Sequence, residues 1–300
     1  VANLKIGVIG LPGKWSSEVL ADAVAEKTGY RLLLDMAEVK LDTESKTLTY
    51  KNIDLTQLDA LIVKKISAEY SPHVLDKLEL LRVAENRGVR VFSRAENILR
   101  LIDRLSCTVT LCNHDIPMPP TQVTESIDEA IKIVEQYQEA VFKPLYSTKA
   151  RGMFIAKAST AATELKQQIT EFSASNPMMY IQKKIELPGQ DLGMVFLGNE
   201  YLGCYARVSQ NSAWNTTINS GGKYANYQAD DELIALAHKA QVPFNMDFTT
   251  VDVAQTPDGP VVFEVSAFGG FRGAKEGIGI NAANLYVDYV VEQVLQGKQV

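Results

Sequence analysis

Two valine-rich alternating runs between Thr249 and Ser266 flank Pro257-Asp258-Gly259, a pattern that predicts a β-hairpin carrying two carboxylates. Pairing Thr256 with Pro260 sets Asp252 opposite Glu264 on one face, with Val251 and Val253 against Val265 and Phe263 on the other. Like charges directly opposite each other repel, so the pair requires either full solvation or a bound cation. Hard oxygen donors with no neighbouring His or Cys suit Mg²⁺ or Mn²⁺. The alternative is a wet outer face.

Other residues suit the same polyanion chemistry. Val141-Phe142-Lys143-Pro144 sets a lysine in an apolar strand, where an ammonium needs an anion or a route to water. The following Ser147-Thr148-Lys149-Ala150-Arg151-Gly152 is basic, hydroxylated and ends in glycine, which suits a flap over phosphates or an ordinary solvated loop. Lys183 and Lys184 end a strand, framing a nucleotide or merely lying at the surface. Arg207 precedes a polar stretch, 211–223, in which Asn215 and Thr217 offer amide and hydroxyl groups to a substrate or to solvent. Arg272 and Lys275 follow Phe268-Gly269-Gly270, where they recognise an anionic substrate or are solvated charges on a loop.

The elements that must position these groups alternate strand and helix at the start of the chain. Strands are expected at 4–10, 30–34, 60–63 and 88–92, helices at 15–27 and 72–87, and a small hairpin around 42–45. This is an α/β beginning with a partly parallel sheet. One helical pattern covers 95–111, and Pro117, Pro119 and Pro120 then interrupt the chain. A second set of strands (121–124, 140–145, 153–157, 178–182) and helices (127–138, 161–172) leads to a hinge near Gly189. The last third is α+β, with strands at 192–196 and 201–208, a helix at 231–241, the carboxylate hairpin and a terminal helix at 282–295. Gly7, Gly10 and Gly13 match neither the dinucleotide fingerprint nor a Walker A loop.

Composition narrows the class. The 300 residues allow two or three domains, and 46% hydrophobic with 22% charged residues is the balance of an ordinary globular protein. A formal charge of −6 argues against a generic nucleic-acid binder. The apolar runs are too short for a membrane span, and the opening residues lack a signal-peptide layout, so the expected location is cytoplasmic. Cys107, Cys112, Cys204 and three scattered histidines indicate neither a zinc site nor a disulfide framework. Apolar residues of the first third serve a core or a homo-oligomer interface.

The order of these pieces carries a resemblance. A strand lysine before proline, a basic loop, a hinge at Gly189-Gln190-Asp191, an arginine strand, a polar loop ending in Gly221-Gly222 and a late Asp/Glu hairpin resemble the ATP-grasp superfamily. Within it the chain looks most like RimK-type carboxylate–amine ligases. Asp103-Arg104-Leu105-Ser106 stands where that group typically has Asp-Lys-Leu. The tail from Ser266 to Lys275 resembles the subgroup named for its Gly-Ala-Lys triplet, here Gly273-Ala274-Lys275.

The resemblance implies an ATP-grasp fold: an N-terminal α/β pre-ATP-grasp domain (1–100), a central subdomain with the phosphate loop (101–183) and a C-terminal subdomain with the metal hairpin (184–300). It implies ATP and Mg²⁺ as cofactors. Arg104, Lys143, Lys149, Arg151 and Gly152 would lie at the phosphates, Gln182, Lys183 and Lys184 at the adenine, and Asp191 at the ribose. Asp252 and Glu264 would hold the metal, with Ser266 where asparagine is usual. Arg207 would stabilise the transferred phosphoryl group, and Asn215 stands where an arginine is common. The implied activity is amide formation through an acyl phosphate, between a small-molecule or peptide carboxylate and an amine. The rivals are an ATP-grasp phosphotransferase and a non-catalytic nucleotide-binding scaffold.

Overall fold

The computed structural model describes residues 3–147, 150–209 and 222–297. Strands β1 (Ile6–Ile9), β2 (Leu33–Leu34), β6 (Ala60–Val63) and β7 (Arg90–Phe92) form a parallel sheet in the order β2-β1-β6-β7. Its inner strands are buried on both faces, hence their unbroken apolar runs. Helices α1 (Trp15–Thr28) and α2 (His73–Asn86) connect them; α1 stops at Gly29, whose φ of +76° suits a residue without a side chain. The expected small hairpin is β3 (Val39–Asp42) with β4 (Thr47–Tyr50), extended by β5 (Ile53–Asp54).

The single helix expected over 95–111 is two. Helix α3 (Ala95–Ile102) ends and α4 (Arg104–Asn113) begins at Asp103, which is extended and accepts the Leu105 N–H at 3.0 Å. An aspartate supplies an N-cap better than it fills a helix interior, and the break turns Arg104 toward the middle of the molecule.

Four antiparallel strands follow in the order β10-β9-β11-β8: β8 (Thr121–Thr124), β9 (Glu139–Lys143), β10 (Phe154–Lys157) and β11 (Met179–Lys183). Helices α5 (Ile127–Tyr137) and α6 (Ala162–Ser175) cover one face. Ser126 caps α5 by accepting the Glu129 N–H at 3.3 Å. Ala140, Phe142, Met179 and Ile181 point into a core built wholly from residues of this part. Val141, Lys143, Tyr180 and Gln182 alternate onto the other face.

The last sheet has the order β14-β13-β12-β15-β16, from β12 (Gln190–Leu197), β13 (Glu200–Val208), β14 (Lys223–Tyr227), β15 (Phe248–Thr256) and β16 (Gly259–Val265). Leu192, Met194, Phe196, Val251, Val253 and Val262 are buried in one core with Leu233, Ala237 and Ala240 of α7 (Asp231–Gln241). On the opposite face lie Asp191, Tyr205, Arg207, Asp252 and Glu264, near α8 (Phe271–Ile278). Arg272 and Lys275, for which a loop was one of two alternatives, stand on this helix. The terminal α9 (Ala282–Gly297) returns to pack on α1, with Lys27 and Asp288 paired at 2.5 Å.

Tyr205 binds β13 to its neighbours through glycine. A Cβ at Gly193 on β12 or at Gly273 on α8 would stand 2.3 Å from the Tyr205 Cζ, so the buried ring fits only between residues without side chains. Gly273→Ala is expected to cost about 1–3 kcal/mol through overpacking. Urea unfolding of this variant checks it, with a lowered midpoint and an unchanged slope.

Candidate active site

The carboxylate hairpin shows how two departures from the expected register cancel. Its turn has two residues, with Thr256 opposite Gly259, and a β-bulge follows, so Val253 meets Val262 while Asp252 still meets Glu264. The bulged residue is Phe263, which the expected register aimed inward against Val253. Instead it is half-buried, its ring 5.3 Å from the Lys143 ammonium. Such bulges re-aim side chains, and here Val262 takes the core position.

Each hairpin carboxylate has its own guanidinium. Arg207 donates through Nη2 to Asp252 Oδ2 at 2.9 Å, and through Nε to both oxygens of Asp191 at 3.1 Å. Arg207 and Asp191 are direct cross-strand partners on β13 and β12, so the antiparallel register itself builds this triad. Arg104 reaches Glu264 Oε2 at 3.2 Å and Pro144 O at 3.4 Å, its side chain 11% exposed. Burial opposes the Arg207 charge, but Asp252 and Asp191 outweigh it and raise the guanidinium above its ordinary range. Burial also pushes the Asp252 carboxyl up to about 7, the Glu264 and Asp191 charges adding to it against Arg207.

Lys143 ends β9, an inner strand rather than the edge position that its proline would permit. Its ammonium donates to Gln182 Oε1 at 2.5 Å. Gln182 is buried and fixed from behind by its own donation to Thr121 Oγ1 at 3.0 Å. Burial, then the Arg104 charge, pushes Lys143 down to about 7, while Glu264 opposes that shift.

The remaining site residues expected from the sequence divide by place. Lys184 pairs with Glu139 at 2.6 Å, and Lys183 is exposed beside it. Arg151 and Gly152 are exposed after Pro144, with Gly152 at φ +70°. Ser266 follows Glu264 by two positions at the end of β16, and its backbone is held by Thr249 and Thr250. Arg272 and Lys275 flank the Trp15 ring at 5.5 and 5.4 Å. Lys149, Asn215 and Thr217 lie outside the described residues. Sequence reasoning did not place Asp191 as the partner of Arg207, nor Tyr180, whose ring faces Arg104 at 5.9 Å. A register counted back from the Gly198-Asn199 turn sets Asp191 opposite Ala206; the β-bulge at Val195/Phe196 shifts the pairing by one residue to Arg207, so the sequence carries no local signal for the first. The Cys107 thiol, beside this cluster, is pushed up to about 12 by burial and is no nucleophile.

A central strand lysine, two arginines and a directly opposed Asp/Glu pair thus converge between the antiparallel sheets. Residues 102–290, more than half of the chain, match the family of the RimK-like ATP-grasp domain. The chain belongs to this family. It is an ATP-dependent ligase of the ATP-grasp fold. This RimK-like chain is 24% identical over 318 residues to tetrahydromethanopterin:alpha-L-glutamate ligase of Methanosarcina acetivorans, covering 95% of this chain and 98% of that protein. It is 26% identical over 299 residues to a probable alpha-L-glutamate ligase of Klebsiella pneumoniae, covering 97% and 96%. The ATP-grasp ligase PsnB, solved with a phosphomimetic variant of its minimal precursor, Mg and ADP, superposes with a TM-score of 0.73 at 14% identity. That superposition covers 98% of this chain and 100% of PsnB.

ATP and Mg²⁺ are the usual cofactors of ATP-grasp ligases, and the donor set here fits them. Asp252 and Glu264 are hard oxygen donors set directly opposite each other, and each now rests on a cation that phosphate oxygens can equally satisfy.

The raised Asp252 carboxyl has a consequence for stability. Between pH 3.8 and about 7 the folded protein holds a proton that the unfolded chain has released, so this contribution to stability falls as pH rises through that window. Asp252→Asn is expected to remove the falling limb. Urea midpoints of both proteins near the two ends of the window check it: the variant gains on the wild type toward neutral pH.

Proposed function

We propose that this ligase activates a substrate carboxylate with ATP as an acyl phosphate and passes it to an amine, forming an amide. The observation that carries the reading is the Asp252–Glu264 pair, opposed on one sheet face beneath Arg104, Lys143 and Arg207. One substrate is an amino acid or peptide. The relatives named as alpha-L-glutamate ligases support L-glutamate as the amine. The expected location is the cytoplasm. No helix among the described residues is long and apolar enough to cross a membrane, and Cys107, Cys112 and Cys204 are unpaired, as a reducing compartment would keep them.

In the first step a carboxylate oxygen attacks the γ-phosphorus, and the bond to the bridging β–γ oxygen breaks to release ADP. In the second, the amine nitrogen attacks the acyl carbon, the carbon–oxygen bond to phosphate breaks and the nitrogen loses a proton. Such transfers depend on positioning and charge neutralisation more than on covalent help. Lys143 and Arg104 bind phosphate oxygens, each pre-oriented from behind by Gln182 and by the Pro144 carbonyl. Lys149, Arg151 and Gly152 are assigned to the phosphates and Lys183 and Lys184 to the base, whereas Asp191, expected at the ribose, has both oxygens committed to Arg207. Mg²⁺ held by Asp252 and Glu264, with Ser266 as a third oxygen, would spread the charge of the phosphates. Arg207, anchored by Asp191, stabilises charge on the transferred phosphoryl group and on the tetrahedral intermediate. Asn215 and Thr217 are assigned to substrate recognition.

Calorimetric titration of ADP, with and without Mg²⁺, tests the site. Micromolar, metal-dependent binding that Asp252→Asn/Glu264→Gln weakens is the expected result; absence of nucleotide binding by the unmodified protein overturns the reading. ADP release that requires both a carboxylate and an amine separates ligation from simple phosphoryl transfer. Arg207→Lys is expected to retain Mg-ADP binding and to lower turnover on the order of 10²-fold or more.

A further inference from the structure

The strand order β2-β1-β6-β7 places a topological switch point between β1 and β6. From β1 the chain leaves through α1 toward β2, and from β6 through α2 toward β7 on the opposite side. In open α/β sheets this divergence opens a crevice beyond the carboxyl ends of the strands, where ligands bind. Lys64 and Lys65 immediately follow β6, and their backbone N–H groups donate to Ile9 O at the end of β1, at 2.8 and 3.1 Å. Two lysines therefore stand at the mouth of the switch point.

Lys64 is 5% exposed. Its ammonium donates to the carbonyls of Phe268 and Gly269, the latter at 2.8 Å, and lies 4.0 Å from the Phe271 ring. Among the described residues no carboxylate pairs with it. Dipoles and a ring face do not replace a counter-ion for a charge taken out of water. Burial, then the neighbouring Lys65 charge, pushes Lys64 down to about 7. The crevice thus has a buried cation to which the described residues supply carbonyls and a ring face and no anion.

The surroundings fit a small anionic ligand. Lys65 donates to the Tyr70 hydroxyl at 3.0 Å and lies 4.2 Å from that ring, and Tyr70 packs edge-on against Phe268. The Tyr70 hydroxyl is raised by burial and then by the Glu264 charge, which marks how near the crevice comes to the hairpin carboxylates. On the other lip Trp15, opening α1, carries Arg272 and Lys275 of α8, with Glu276 3.5 Å from Arg272.

We propose that this crevice binds the free carboxylate of the amino-acid substrate, with Lys64 and Lys65 as its counter-charges. The assignment rests on the ligase reading and deepens it. An amine substrate that is itself an amino acid must keep its own carboxylates from the phosphoryl-transfer centre. Cations held on the N-terminal sheet, separate from Arg104, Lys143 and Arg207, do that.

The test is calorimetric titration of L-glutamate into protein saturated with ADP and Mg²⁺. Wild-type protein is expected to bind it, and Lys65→Gln and Lys64→Met each to weaken it roughly tenfold or more, with ADP affinity within about twofold of wild type in both. Lys65 is only half-buried, so its variant decides the matter if Lys64→Met does not fold. Undiminished L-glutamate binding in Lys65→Gln, or no L-glutamate binding by wild-type protein that binds Mg-ADP, overturns the crevice and leaves the ligase reading standing. Loss of Mg-ADP binding by the wild type would remove the ligase reading itself.

Discussion

Two carboxylates facing each other across a β-ladder repel, and the Asp252–Glu264 pair is tolerated because a guanidinium from a different element reaches each of them. Arg207 arrives from β13, where Asp191 holds it, and Arg104 from the first turn of α4, where the Asp103 cap aims it. The cap, the β12–β13 register and the bulge at Phe263 all serve this neutralisation. Three cations stand against Asp191, Asp252 and Glu264, in a region dry enough to move both Asp252 and Lys143 to about 7. Such a cluster stores the electrostatic complement of a polyanion before any polyanion arrives, because each cation is already oriented and partly desolvated.

Much of this was legible in the sequence, and for identifiable reasons. The turn at Pro257-Asp258 with its flanking valines gave the hairpin, and alternation gave the polar face. The Asp/Glu pairing came out right although the turn is a residue shorter than expected, because the bulge restores the register. Bulges leave no mark in a period-two pattern, so the outward position of Phe263 was not legible. The break at Asp103 was hidden because apolar residues continue through it. Helix α8 was hidden by its glycines, which lower helix propensity; they are present because Tyr205 occupies the space that side chains would fill.

Long-range partners were the least legible. Nothing local tells that the Lys143 ammonium meets Gln182, or that Lys64 reaches the carbonyls of Phe268 and Gly269 two hundred positions later. Lys64-Lys65 at a strand end has the same local appearance as Lys183-Lys184. Only the burial of Lys64 against a distant loop, and the exposure of Lys183, separate them.

The distribution of the cores bears on motion. Residues around β8 to β11 keep a core of their own, whereas the cores of the first and last sheets are shared, and α9 ties the end of the chain back onto α1. Mechanically the molecule is a clamp with one jaw light and one heavy. The light jaw is joined at the prolines before β8 and at the segment between β11 and β12. Lys143 rides on the light jaw and Arg207 and both hairpin carboxylates on the heavy one, while Arg104 stands between them, bonded to Glu264 on one side and to the Pro144 and Leu145 carbonyls on the other. Opening the clamp would therefore separate Lys143 from the acids and strain Arg104, while Arg207 kept its grip on Asp252.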